Sequence, residues 1–390
     1  MMRKIIALML TVMFMFAACD EQLAVDNGQL TIEPEIPTQE EPEEIEEPEM
    51  LATDWQESPV SDFEYEYDEE LGGMVIRKYK GSDTHVTIPA RIDGEPVVGI
   101  FGAWMGDGFD SAFGFNNKIN SVLIPEGVTY IGDFAFFLCE NLTSVYFPES
   151  LTYIGHSAFR VTGLTSVTIS ENVEYIGNNA FSLCRDLPQI IVDEKNAVYT
   201  SVDGVLFNKE MTELLQYPAG KNGTHYVIPD GITSINNEAF FDAALESVVI
   251  PESVITLDYR AFASTNLREV IIPDSIINIG GSAFENCNDL TSIIIGNNVE
   301  NIGDYAFRGT AITKIIIPDS VKTIGEWAFM HCEELVSVTI GNSLINIGEG
   351  AFYGCRNLTN LEIAFWDGTF IYDEEIKDLP EEFYNAVNGV

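Results

Sequence analysis

Basic residues are scarce in this chain: 19 lysines and arginines stand against 62 aspartates and glutamates, a formal charge of −43 over 390 residues. Such a surface repels a phosphate backbone instead of displacing counterions from it, which excludes nucleic acid as a partner. Histidine (4) and cysteine (6) are also sparse, and His85, His156, His225 and His331 fall into no HExxH, CxxC or comparable ligand spacing. No metal or other cofactor is expected. There is no G-x-S-x-G and no plausible Ser/His/Asp set, and Gly220-Lys221 lacks the upstream glycine and the following Ser or Thr of a phosphate-binding loop. Adjacent acids such as Glu333-Glu334 and Glu374-Glu375 are common on so acidic a chain and do not make a glycosidase pair. The chain reads as a non-enzyme. What it does hold is 46% apolar residues and 31 glycines, enough for a sizeable core in one large or two ordinary domains.

The first residues combine a basic start (Arg3, Lys4), an apolar run from Ile5 to Phe16 and small residues ending at Cys19. That pattern is an export signal over 1–18, too short for a typical spanning helix. Ala17-Ala18-Cys19 resembles the lipobox of bacterial lipoproteins, which implies a lipidated Cys19 and a membrane contact through that anchor only; the alternative is cleavage after Ala18 and free secretion. From Asp20 to Glu70 there are twenty acids and no Lys or Arg. A segment of this kind buries too little to offset its ordering entropy, so 19–61 reads as a solvated stalk.

Beyond the stalk the chain repeats. Ala-Phe falls at 135-136, 158-159, 180-181, 239-240, 261-262, 283-284, 306-307, 328-329 and 351-352, spaced by 22 or 23 residues apart from one gap of 59. Ile-Gly precedes most copies, as in Ile131-Gly132 and Ile302-Gly303, and a short apolar alternation ending in proline follows them, as in SVLIP at 121–125. The period spells one short strand and tight turns per coil, with proline closing the strand and glycine relieving a corner. No coil has a core of its own, and stacked coils bury the recurring Ile, Leu and Phe together. The fold class is a repeat solenoid, mostly strand and loop.

The stretch EWAFMHCEEL (326–335) gathers His331, Cys332, Glu333 and Glu334, a possible metal or nucleophile site. The residue three after each Phe, however, is Cys139, Thr162, Cys184, Ala243, Thr265, Cys287, Thr310, Cys332 or Cys355, always small. Cysteine accompanies a period of 23 and Thr or Ala a period of 22, so this is a packing slot that follows coil geometry. Buried, reduced thiols are expected; a Cys332–Cys355 disulfide is the alternative, since neighbouring coils lie roughly 4.8 Å apart.

The frame AF-x-x-C-x-x-L-x-x-V-x-I-P followed by V-x-x-I-G resembles the BspA-type leucine-rich repeats of bacterial surface proteins, over roughly Val86 to Ile363. The resemblance implies a right-handed coil with a parallel β-sheet on its concave face, repeats over 111–365 with a hairpin insertion near 193–222, a hairpin and capping coil over 62–110, and a cap at 366–390. Within the capping coil, Ala103-Trp104 is expected where Ala-Phe should stand. It also implies a cell-surface, adhesin-like protein that binds host matrix or another bacterial surface.

If Val122 and Ile124 point inward, the outward column between them reads Leu123, Tyr146, Thr168, Ile191, Val227, Val249, Ile271, Ile294, Ile316, Thr339 and Glu362. Six successive coils, Ile191 to Ile316, thus present an aliphatic side chain to solvent. With Tyr146 they form the candidate protein-binding surface. The competing reading is that β-branched residues stacked on one another only stabilise the ladder. An envelope scaffold without an external ligand remains the alternative function, and a secreted carbohydrate-active enzyme or peptidase the more distant one.

Overall fold

A computed structural model describes residues 56–104 and 108–363. The signal segment 1–18, Cys19, the stalk as far as 55 and the cap at 366–390 lie outside the described residues. Over the described residues the fold is a β-solenoid of about 12 turns with parallel sheets and almost no helix. Each coil carries two short strands and a corner. In the first ladder Ser121–Leu123 pairs in register with Ser144–Tyr146, and in the second Tyr153–Ile154 lies parallel between Tyr130–Ile131 and Tyr175–Ile176. Val122 and Ile124 are buried while Leu123 between them is partly exposed, as strand alternation requires.

The corner is a third ladder built of turns. Two residues per corner, Phe134 (φ 60°) and Leu138 (φ 57°) in one coil, Trp327 (φ 55°) and His331 (φ 57°) in another, take the left-handed conformation. This aims alternate N–H groups along the solenoid axis: Phe134 N donates to His156 O (2.9 Å), Phe136 N to Ala158 O (2.8 Å) and Leu138 N to Arg160 O (3.0 Å). The local strain is offset by a hydrogen bond to the next coil at every step. Glycine before the corner answers to crowding. A Cβ on Gly303 would lie 2.7 Å from Gly281 N, and one on Gly325 2.5 Å from Asp304 N, both backbone atoms that have nowhere to go.

Behind the corners the phenylalanines pile ring on ring, with Phe136–Phe159 at 5.0 Å, Phe262–Phe284 at 5.4 Å and Phe284–Phe307 at 5.5 Å, all near parallel and fully buried. The pile stops at Phe181 and resumes with Tyr217 on Phe240 (5.1 Å). The gap of 59 residues holds an antiparallel hairpin, Tyr199–Val202 with Val205–Asn208, whose second strand pairs with Glu213–Gln216, and the latter runs parallel to Ser234–Ile235. The core divides there. Leu206 belongs to the N-terminal cluster, and its neighbours Val205 and Phe207 to the C-terminal one.

The C-terminal half therefore begins as the N-terminal half does, where the hairpin of Phe63–Asp68 and Gly73–Tyr79 leads into Glu95–Ile100 and the parallel ladder. Thr84-His85-Val86-Thr87-Ile88-Pro89 echoes Thr224-His225-Tyr226-Val227-Ile228-Pro229. The histidine does the same thing in both, His85 Nδ1 lying 2.7 Å from Ser121 Oγ and His225 Nδ1 2.6 Å from Ser247 Oγ in the next coil.

Two expectations are corrected. Ala112-Phe113, not Ala103-Trp104, is the first corner: both residues are buried and Phe113 stacks on Phe136 at 4.7 Å. Gly102 sits directly under Gly132, but Gly102–Trp104 then leaves the coil to pair with Phe109–Ser111, so an excursion separates the glycine from its Ala-Phe. Trp104 is 57% exposed. The fold also begins ahead of residue 62, because Ser58 is buried and its N–H donates to Thr87 O at 2.9 Å while Thr87 N donates to Ser58 Oγ at 3.2 Å.

Candidate functional site

The outward column of the first ladder arises from strand alternation. Val227, Val249, Ile271, Ile294 and Ile316 are 66, 56, 51, 51 and 59% exposed, whereas the residues before and after each, such as Val270 and Ile272, are buried, apart from the partly buried Tyr226. Val227 stands opposite Val249, and Ile271 opposite Ile294. Ile316 is followed by the polar Thr339 and Glu362. The run of six is corrected to five. Ile191 is exposed, but the tip of the inserted hairpin stands between it and Val227: Ile190 N donates to Gly204 O (2.9 Å) and Lys221 Nζ reaches Asp203 Oδ2 (3.0 Å). Tyr146, beside Leu123 in the N-terminal half, is only partly exposed.

One flank of the five-residue column is mixed, with His225, Glu269 and Lys314 at the strand starts and Arg268 paired to Glu246 at 3.2 Å. The other flank, just past the strand-ending residue, is acidic. Asp230, Glu252, Asp274 and Asp319 are all exposed there, and none is in an ion pair with another described residue.

The cysteine slot lies in the core beside the phenylalanine corners. Cys139, Cys184, Cys287, Cys332 and Cys355 are free thiols, buried, and each Sγ donates to the carbonyl of the preceding coil's phenylalanine at 3.1–3.2 Å. Where the slot holds threonine, Oγ1 instead donates to its own coil's phenylalanine, as Thr310 does to Phe307 O (2.9 Å), leaving Cys332 Sγ 3.2 Å away. Burial pushes the Cys139 thiol up to about 12 and those of Cys184 and Cys287 to about 11. The hydrogen bond with Cys332, and burial after it, hold Cys355 protonated far above the ordinary thiol range. Cys139, Cys184, Cys287 and Cys355 are therefore poor nucleophiles and poor metal ligands. His331 packs edge-on to Tyr353 (5.7 Å), and among the described residues no three His, Cys, Asp or Glu are placed to hold a metal ion.

Sequence reasoning missed the outer column of the second ladder. Tyr130, Tyr153 and Tyr175 stack at 4.8 and 4.6 Å in the N-terminal half. In the C-terminal half the same position holds Asn278, Asn301 and Thr323, joined by side-chain hydrogen bonds of 2.6 Å. The residue before each Ile-Gly, read down the repeats, carries that signal. A small hollow of about 30 Å³ at the seam, lined by Ile176, Phe181, Leu206 and Asn236 among others, has room for water and not for a substrate.

A family model described as the BspA type leucine rich repeat region matches residues 109–214, 217–335 and 301–375. The chain belongs to that family. Among solved structures, this BspA-type chain is similar to a leucine-rich repeat protein from Eubacterium ventriosum (22% identity, 78% of this chain and 92% of that one, TM-score 0.61) and to the pneumococcal vaccine antigen PcpA (24%, 82% and 76%, TM-score 0.56). It is also similar to a leucine rich cell surface protein from Faecalibacterium prausnitzii (24%, 82% and 97%, TM-score 0.50). At these identities the likeness speaks for the fold. No match was found among curated proteins. The family points to a protein-interaction role and its relatives are repeat proteins, not members of enzyme families.

Proposed function

We propose that this protein is a non-catalytic, surface-displayed binding protein, held at the membrane through a lipidated Cys19 and a stalk, whose recognition surface is the aliphatic column of the first ladder. The observation that carries the reading is the exposure of Val227, Val249, Ile271, Ile294 and Ile316 in consecutive coils. An aligned apolar stripe on a rigid array favours association with another protein. Tyr146 and Ile191 lie outside that unbroken run and serve as its periphery. The burial of the five thiols supports a structural role for the cysteine slot. The description of a relative as a cell surface protein is in keeping with export.

The test is capture of neighbouring bacterial cells or matrix proteins by the region after the stalk, with Ile271→Ser and Ile294→Ser together. Each exposed half of an isoleucine lost from an interface is worth about 1 kcal/mol, so binding falls by about tenfold or more while the fold persists. Capture unchanged by the double variant removes the column as the site. Protease shaving of intact cells tests display: release of the array is expected, and full protection overturns it.

A further inference from the structure

We propose that the occupant of the column is a basic protein segment, with aliphatic side chains seated on Val227 to Ile316 and lysines or arginines directed to the acidic flank. This rests on the reading above and adds the partner's chemistry. The two flanks differ. On one side Arg268 is neutralised by Glu246, and Glu269 and Lys314 oppose one another in sign. On the other side Asp230, Glu252, Asp274 and Asp319 present carboxylates in four coils, interrupted only by Asn297. They lie three residues beyond the column, within about 10 Å of extended chain. Asp274 and Asp319 each accept a backbone N–H of the following coil, at 2.6 and 3.0 Å, which orders the row without neutralising it.

A ligand resting on the stripe therefore meets uncompensated negative charge along one edge. The chain's charge of −43 adds a long-range field of the same sign. A second copy of this chain is disfavoured as the occupant, because pairing two such faces brings two acidic rows and two acidic molecules together. Stripe and row run side by side along the solenoid axis, and an extended segment can serve both, with its alternate side chains pointing to opposite edges. A basic partner gains speed of encounter from the field and a fixed orientation from the one-sided row.

The test uses the full chain and acetylated 14-residue peptides followed by fluorescence anisotropy. One peptide alternates valine with lysine, a second valine with glutamate, and a third serine with lysine. The valine–lysine peptide is expected to bind at least tenfold more tightly than either of the others, and to weaken several-fold between 50 and 300 mM salt. Asp230→Asn with Glu252→Gln, exposed sites whose side chains make no hydrogen bond among the described residues, is expected to weaken it at least threefold. Equal binding of the valine–glutamate peptide, or no effect of the charge variant, overturns the inference. Equal binding of the serine–lysine peptide shows ion exchange only and overturns it as well. If Ile271→Ser with Ile294→Ser abolishes cell or matrix capture while the charge variant does not, the column stands as a site and the basic partner falls. If neither variant changes capture, both fall.

Discussion

Glu238 is the residue whose loss should reach furthest. Its carboxylate is 7% exposed and pairs with Arg160 from the N-terminal half, accepts from Ser182 Oγ at 3.2 Å, and faces Arg260 at 3.7 Å from its own half. Arg160 and Glu238 are 78 residues apart, and the pair spans the seam where the phenylalanine pile is interrupted. Arg185 with Asp242 (3.0 Å) is a second, more exposed tie across the same seam. Glu238→Gln leaves the partly buried Arg160 guanidinium, 16% exposed, without its counter-charge, while Arg260 keeps Glu285 at 3.3 Å. Breaking a buried pair in this way costs about 3–5 kcal/mol. The two core clusters are joined chiefly through this seam, so the loss should uncouple them instead of lowering both alike. Urea unfolding followed by hydrogen exchange is expected to split into two steps, with the amides of 176–183 and 236–243 losing protection first. Replacing the pair together, as Arg160→Met with Glu238→Leu, leaves Arg260 on Glu285 and should restore a single transition to within about 1–2 kcal/mol. A single unshifted transition in Glu238→Gln refutes the idea that these charges hold the halves together.

Phe284→Ala removes a ring sandwiched at 5.4 and 5.5 Å and should lower stability by about 3–5 kcal/mol by denaturant titration, against well under 1 kcal/mol for Ile271→Ser on the surface. Val161 is a β-branched residue at φ 60°, where other coils carry Gly309 or Asn286, so Val161→Asn should raise the melting midpoint, with a gain of about 1 kcal/mol. The raised thiols make stability fall with alkalinity. Above the ordinary thiol value of about 8.5 the unfolded chain releases protons that the folded one keeps, so Cys184 and Cys287 each remove about 1.4 kcal/mol per pH unit up to about 11. Cys184→Ala should flatten that slope in urea titrations at pH 8, 9 and 10, and an unchanged slope would count against burial as its cause. Gly303→Ala should destabilise by several kcal/mol through collision with the preceding coil's backbone, read as loss of soluble, protease-resistant protein.

Periodicity carried most of this fold because each coil repeats one set of steric demands. The Phe niche, the small slot at 332 and the glycine at 303 could be read from spacing since every neighbour imposes the same shape. What escaped were departures from the period. The excursion between Gly102 and Ala112 displaced the first corner by nine residues from where Ala103 suggested, although Ala112-Phe113 lies 23 residues before 135-136. The separation of Ile191 from Val227 was hidden for the same reason: a hairpin tip occupies space between two strands that look consecutive on paper. The ion pairs of Glu238 join coils far apart in sequence, and no spacing rule reaches them. The exposed column was legible from strand alternation alone, while the tyrosine stack at 130, 153 and 175 needed a comparison down the repeats.

The paired openings, each a hairpin followed by a Thr-His strand, bear on how so long a stack comes to be assembled. A chain that emerges amino end first holds one complete seed once the strand His85–Thr87 is out and another once His225–Val227 follows. Assembly of the later storeys need not wait on the earlier ones, nor propagate through every one of them from a single origin. Half of the molecule can be finished while the remainder is still being delivered.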